Sequence, residues 1–234
     1  MPNKKDLEKM VINSEKDLMS LHGQDLQNKH LLIKGDVKDI KFKTLKGCII
    51  EGGHLICEKI SECSVQNADY VYADVVDKSK FYKCNRIRLG DADSHNPITE
   101  SIFINCTTIE LEDVKAIGCT FSDFETLYIT WTDLHNCTIS DVVCHNDCAI
   151  VMEDGEISNC TFTNIKLRNG SYLIEGYGNP WVETSVFEDI STAKPDKELF
   201  HLEETKGIIF KRKKEYCFTD EDSCLGLDQV KLLS

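Results

Sequence analysis

The sequence lacks long apolar runs and an excess of positive charge. Its longest apolar stretches, such as Ala149–Met152, hold about four residues, whereas a membrane-spanning helix needs about 20. Lys and Arg number 27 against 40 Asp and Glu, which leaves a formal net charge of −13. Nucleic-acid binding depends on Lys and Arg neutralising phosphates. We therefore predict no membrane and no nucleic acid among the partners.

The N-terminal residues also lack the apolar core of a secretory signal, so we expect a cytoplasmic protein. Twelve cysteines are many for that compartment. Reduced thiols are expected there rather than a disulfide framework. Most of the cysteines stand beside alternating apolar residues, as in Cys119-Thr120-Phe121, and this setting is typical of buried thiols.

One block of sixteen residues recurs three times, over 109–124, 127–142 and 150–165. Its eleventh position is always Cys, and its first, third and thirteenth positions are always apolar. Apolar residues alternate with a period of two in short pieces, which indicates β-strands. Gly, Asn, Asp and Ser between the pieces favour tight bends. Weaker copies flank the three blocks at 60–68 and 182–190.

A repeat of about 20 residues without intervening helices predicts a solenoid. We expect an all-β protein, a single-stranded parallel β-helix over residues 30–212, with each coil lying on the one before. The block cysteines should form one inward ladder, and Phe121, Ile139 and Phe162 another. Asp and Asn at the bends, such as Asp123 and Asn164, are expected to bond backbone groups of neighbouring residues. A left-handed hexapeptide solenoid is the alternative, but its six-residue period is absent.

The segment 157–165, ISNCTFTNI, echoed by 134–142, resembles the repeat of right-handed parallel β-helices of the pectate-lyase-like superfamily. The resemblance covers about 105–190 well and about 30–104 loosely. It implies right-handed winding and raises polysaccharide cleavage as an activity, although fold alone does not assign function. The family's lyases resemble one another in Ca²⁺-binding aspartates and an Arg base. The related polygalacturonases share an Asp-Asp pair, a Gly-His-Gly and an Arg-Ile-Lys.

The chain departs from those catalytic patterns. It has no Asp-Asp pair and no Gly-His-Gly, and Arg86-Ile87-Arg88 precedes the candidate acids, out of the expected order. The interval from Cys48 to Cys63 is also short for one coil of this family. We predict no catalytic residue. If the chain is an enzyme, the resemblance implies a polysaccharide lyase or a glycoside hydrolase.

The two ends of the chain differ from the repeat. Residues 1–23 are predicted as an amphipathic capping α-helix, running over 4–21, because several apolar residues share one helical face. A helix in this place would cover the open edge of the first coil. Residues 213–234 are predicted as a C-terminal tail. The members of the apolar face are Leu7, Met10, Val11, Leu18 and Leu21.

Aromatic residues form the first candidate binding site. Tyr128 and Trp131 fall on outward or corner positions, and Tyr172, Tyr177 and Trp181 lie in or near a predicted insertion, 170–180. Rings on neighbouring coils would form a platform for sugar rings or for a protein partner.

Charged residues form two further candidates. Glu153 and Asp154, with Arg168, are candidate binding residues on an outward face, and Glu112 and Asp113 share their block positions. In the polar loop 90–97, oxygen and imidazole ligands alternate at Asp91, Asp93 and His95, which is a candidate Ca²⁺ site, although a solvated loop explains the pattern as well. We predict no cofactor, and Ca²⁺ at this loop is the candidate kept open.

Two functions remain open at this point. The first is a non-enzymatic scaffold that binds a protein partner through a rigid solenoid face. The alternative is a carbohydrate-active protein, either an enzyme or a relative that only binds glycans.

Overall fold

The computed structural model of the chain describes residues 7–34, 41–90, 96–168, 171–192, 199–202, 204–206, 209–211 and 231–233. These residues form a parallel β-solenoid of 29 short strands in two sheets. The expected all-β parallel solenoid is therefore confirmed. In most of the solenoid each coil contributes three strands, and we call the surfaces that they build the first, second and third faces, in the order in which the chain meets them.

The third face is the 13-stranded sheet. Its strands follow one another coil by coil, and β19 pairs with β22 beside the main path. The strands are β1 (Glu8–Ile12), β3 (Lys29–Ile33), β5 (Ile49–Glu51), β7 (Ser64–Gln66), β9 (Lys80–Tyr82), β12 (Ile102–Ile104), β15 (Thr120–Ser122), β18 (Thr138–Ser140), β19 (Val143–Cys144), β22 (Thr161–Leu167), β25 (Val186–Thr192), β28 (Ile209–Lys211) and β29 (Lys231–Leu233).

The 16-stranded sheet bends to form the other two faces. Two early strands run across both, β6 (His54–Ser61) and β8 (Tyr70–Asp77), and β4 (Lys41–Lys46) pairs along β6. Beyond β8 the first face holds β10 (Arg86–Leu89), β13 (Thr108–Glu112), β16 (Thr126–Thr130), β20 (Cys148–Glu153), β23 (Tyr172–Tyr177) and β26 (Phe200–His201). The second holds β2 (Asp25–Gln27), β11 (Pro97–Thr99), β14 (Lys115–Ile117), β17 (Asp133–His135), β21 (Glu156–Ser158), β24 (Trp181–Glu183) and β27 (Glu204–Lys206).

Strand register gives the length of each coil, and the length varies along the chain. Near the N-terminus Ile49 lies opposite Ser64, so the short interval from Cys48 to Cys63 is one complete coil. Further along, Thr108 lies opposite Thr126. The next coil is longer still, because Leu127 lies opposite Ile150.

The core consists of the predicted inward ladders. The rings of Phe81, Phe103 and Phe121 stack with centroids 4.9 and 5.0 Å apart and planes within 6°. In the thiol ladder, the backbone N–H of Cys137 donates to Cys160 Sγ at 3.4 Å. All ten cysteines within the described ranges are unpaired and buried, and burial raises the pKa of the Cys57 thiol to about 12. Buried thiols therefore act here as small apolar side chains.

Asp and Asn occupy the bend after the third face, in left-handed backbone conformation. Asn105 Nδ2 donates to Asp123 Oδ2 at 2.9 Å, and Asn164 Nδ2 donates to Asp141 Oδ1 at 2.7 Å. All four have φ between 52° and 57°. In these pairs the bond joins side chains of adjacent coils, whereas the sequence led us to expect bonds to backbone groups. The bond from Asn164, followed by those from Ser140 and Ser122, lowers the pKa of Asp141.

The predicted N-terminal helix over 4–21 is wrong. Strand β1, Glu8–Ile12, occupies the middle of that range and pairs with β3 over five residues. Ile12 is buried, and Val11 is exposed, as alternation in a strand requires. Of the described residues 7–21, only α1 (Glu15–Met19) is helical, and its five residues are far too few to cross a bilayer. Of the predicted tail, Lys231–Leu233 forms β29, and residues 213–230 and 234 lie outside the described residues.

Candidate functional site

The corner between the first and second faces carries exposed aromatic side chains. Strand register aligns Thr130 with Glu153 and Glu153 with Tyr177, so the residues that follow them turn the corner in three successive coils. Trp131 and Asp154 turn it with φ of 47° and 53°. Neighbouring strands lie about 4.8 Å apart, so side chains on adjacent coils come within reach of one another.

Hydrogen bonds hold the Trp131 ring in place. Trp131 Nε1 donates to Asp154 Oδ2 at 3.2 Å, and the backbone N–H of Asn179 donates to Asp154 Oδ1 at 2.8 Å. These bonds, with that from Asn179 the stronger cause, lower the pKa of Asp154, so the carboxylate is charged at neutral pH. Trp131 is nevertheless 54% exposed. The indole is therefore held at its Nε1 while much of the residue stays open to solvent.

Tyr177 and Trp181 extend the same surface into the next coil. Tyr177 is 53% exposed, and a hydrogen bond with Glu175 raises the pKa of its phenol. Trp181 is 39% exposed and lies opposite Glu156 in the register of β21 and β24. We call this surface the aromatic corner. It comprises Trp131, Glu153, Asp154, Glu156, Tyr177 and Trp181, and both tryptophans of the chain belong to it.

A glycine allows the tight bend. Gly155 has φ of +98°, and a Cβ on it would overlap the backbone oxygen of Thr132 in the preceding coil. A side chain there would separate the two coils that carry Trp131 and Asp154.

Charge is unevenly distributed around the aromatic corner. Residues 116–192 contain twelve carboxylates and only two basic side chains, Lys166 and Arg168. Lys166 lies in β22 on the third face, and Arg168 follows that strand. The corner lies at the opposite end of the first face, so neither basic residue neutralises it. Just outside that range, Lys115 begins β14 on the second face opposite Asp133, so one basic side chain borders the corner. The corner therefore combines exposed aromatic rings with an excess of carboxylates.

The structure brings together only some of the predicted site residues. Trp131, Tyr177 and Trp181 meet Glu153 and Asp154 at the corner. The other three lie along or before the first face: Tyr128 in β16 opposite Val151, Tyr172 in β23 opposite Cys148, and Arg168 after β22.

The structure tests one of the two remaining sequence expectations for sites and insertions. The predicted insertion at 170–180 is wrong over Tyr172–Tyr177, because these residues form β23 in register with β20. Asp91, Asp93 and His95 lie outside the described residues. Among the residues that are described, no three His, Cys, Asp or Glu side chains are grouped as metal ligands would be.

The two arginines of Arg86-Ile87-Arg88, which resembles the Arg-Ile-Lys of polygalacturonases, are engaged in ion pairs. Arg86 bonds Glu110 through two nitrogens, at 2.8 and 3.0 Å, and Arg88 bonds Glu112. The bond to the carboxylate raises the pKa of each guanidinium. They line a shallow groove of about 280 Å³ beside Tyr128. An arginine held in this way is a poor general base, because deprotonation would break its ion pair.

Sequence reasoning missed one pair of chemically interesting side chains. His135 Nδ1 and Ser158 Oγ lie 3.0 Å apart on adjacent coils of the second face. A Ser–His pair is part of many hydrolytic sites. Ser158, however, is only 4% exposed, so its hydroxyl is not open to a substrate. The repeat was the available signal, because His135 and Ser158 both stand at the ninth position of their blocks.

Comparisons of the chain with protein-family models, curated proteins and solved structures give no match. Support for the fold and for the candidate site therefore comes from the sequence and structure of this chain alone. The structure supports the resemblance to pectate-lyase-like repeats as far as the parallel β-solenoid architecture, and no family match supports it further.

Proposed function

We propose that the protein is a non-enzymatic scaffold that binds a partner protein through the aromatic corner. The observation that carries this proposal is the exposure of Trp131, Tyr177 and Trp181 at one corner, across three successive coils. Large exposed aromatic side chains that cluster on a soluble protein mark interaction sites. Trp and Tyr are also the residues most enriched in the energetic centres of protein interfaces.

The rigidity of the corner supports the same function. Trp131 is fixed by Asp154, and Asp154 is fixed by the backbone of Asn179 in the next coil. Binding to a surface that is already ordered loses little side-chain entropy. The neighbouring grooves are shallow and open, which suits a protein surface better than an enclosed small molecule.

Glycan binding is the second candidate, because aromatic rings also stack against sugar rings. A closer relationship to the pectate-lyase-like superfamily, with right-handed winding, would favour it. The carboxylates of the corner would repel a polyuronate, so the glycan would be a neutral one. For either function we propose the cytosol as the compartment, since ten buried cysteines remain unpaired.

Site-specific photo-crosslinking tests the first proposal. A photoreactive phenylalanine derivative replaces Tyr177, and in a matched control it replaces Tyr82, which is 42% exposed on the third face. We expect a protein adduct in cell lysate from position 177 and none from position 82. Equal adducts from both positions, or none from either, would contradict the proposal. A glycan array probed with the native protein and with Trp131→Ala tests the second candidate, which predicts binding that the substitution removes.

A further inference from the structure

The charge of the aromatic corner indicates the chemistry of its partner. The coils that carry it hold most of the chain's excess negative charge, since residues 126–192 contain ten carboxylates and two basic side chains and so supply eight of its 13 net negative charges. Each exposed ring also has its own carboxylate: Asp154 bonds Trp131, Glu175 bonds Tyr177, and Glu156 lies opposite Trp181.

This pairing of ring and carboxylate suits a cation. A Lys ammonium or an Arg guanidinium is attracted to the face of an aromatic ring, most strongly to that of Trp. A carboxylate at the edge of the same ring adds a second attraction for the cation. The attraction between the cation and the ring is also stronger where the cation loses its hydrating water. Asp154 occupies the Nε1 of the Trp131 indole, and Trp131 is 54% exposed, so the exposed remainder of the ring is left for a ligand.

We propose that the aromatic corner binds a lysine- or arginine-bearing segment of a partner protein, with a basic side chain over the Trp131 ring. This inference rests on the proposed function and specifies its partner. Charge complementarity selects this occupant over an acidic protein or a polyanionic glycan, both of which the corner repels. Lys166 lies on the third face and Arg168 follows it, and no ion pair among the described residues engages the carboxylates of the aromatic corner.

Intrinsic tryptophan fluorescence tests the inference on the full chain without a label. Both tryptophans belong to the aromatic corner, so the emission reports on this surface alone. The probes are hexalysine, hexaglutamate and cellohexaose, each titrated at about 0.15 M salt, where long-range attraction is largely screened. We expect hexalysine to change the emission with saturation, and we expect no change from the other two.

Matched variants separate the corner from general electrostatic attraction, with binding measured by the anisotropy of labelled hexalysine. Trp131→Ala and Asp154→Asn should each weaken binding about five-fold or more, the scale of one cation–π contact. Tyr82→Ala removes an exposed ring from the third face, and Asp189→Asn removes the same charge as Asp154→Asn from the bend after that face. Each control should change binding less than about two-fold.

Three results would overturn the inference. Equal weakening by Asp154→Asn and Asp189→Asn would show nonspecific attraction to an acidic protein. No response to hexalysine would exclude a basic segment, and the crosslink from position 177 would then decide separately whether a protein binds there. A response to cellohexaose instead of hexalysine would favour the glycan-binding alternative.

Discussion

Removing one ring from the phenylalanine ladder is the sharpest test of the solenoid register. Phe103 is fully buried, with Phe81 at 4.9 Å on one side and Phe121 at 5.0 Å on the other. Phe→Ala in a core costs about 3–5 kcal/mol, and each lost ring stack adds about 0.5–1.5 kcal/mol. Parallel strands on both sides fix the coil spacing, so the cavity cannot collapse. We therefore expect Phe103→Ala to lower the free energy of unfolding by about 4 kcal/mol or more, in the upper part of the range for such core truncations.

The neighbouring residue supplies a matched control. Ile104 follows Phe103 on the same strand, points outward and is 38% exposed, so Ile104→Ala should cost less than about 1 kcal/mol. Urea unfolding followed by circular dichroism measures both variants under the same conditions. Equal losses for the two, or a loss below about 2 kcal/mol for Phe103→Ala, would refute the inward ladder and the register derived from it.

Three further predictions concern the bends and the thiols. Gly155→Ala should destabilise the protein by about 3 kcal/mol or more, because the added Cβ would meet a backbone oxygen. Gly118→Ala is the control: no atom lies nearer than 4.0 Å to its added Cβ, so it should cost only the left-handed backbone penalty of about 1–2 kcal/mol. Equal shifts of the melting temperature for the two variants would contradict this expectation. In a Cys217→Ser/Cys224→Ser variant, no thiol should react with Ellman's reagent at pH 8 until the protein is unfolded, and prompt reaction of any thiol would show an open core. Asp141 has a lowered pKa in the folded state, so its contribution to stability should be complete above its ordinary pKa of 3.8 and disappear as the pH falls through the folded value. Asp141→Asn should therefore make the free energy of unfolding depend less on pH in the acid range. An unchanged pH dependence would argue against the hydrogen bonds between Asp and Asn side chains of adjacent coils.

Much of the solenoid was predictable because the repeat specifies which side chains point inward. Cys119, Cys137 and Cys160 recur at one block position, and one position of an in-register parallel stack can point only one way. Even Ser185, in a weaker copy, takes the expected place, since its Oγ accepts a hydrogen bond from the backbone N–H of Cys160 at 3.2 Å.

The N-terminus was mispredicted because its apolar residues fit two periods. Met10 and Val11 fit one face of a helix, but Met10 and Ile12 also alternate as in a strand. The exposed hydrogen-bonding edge of β3 decides between the two, because a strand satisfies that edge and a helix does not. The run Val11-Ile12 of β-branched residues was the available local signal.

The candidate site was predictable only in part, because insertions of unequal length hide the register. The sequence correctly aligned Glu112 with Glu153 through Thr130. It did not show that Arg168 lies beyond a different face, since β22 runs through the bend position at Asn164 and continues to Leu167. The excess of carboxylates around the corner becomes visible only when the coils are stacked, because stacking brings together residues that are far apart in the sequence.

Collisional quenching of tryptophan fluorescence tests most directly the central claim that an exposed, acidic aromatic corner exists. Caesium and iodide are quenchers of opposite charge, and at matched ionic strength their ratio reports the local potential at Trp131 and Trp181. The structure leads us to expect quenching by both ions, with caesium clearly the stronger relative to a free-tryptophan standard. Quenching by iodide that equals or exceeds that by caesium, or protection from both ions, would contradict the account.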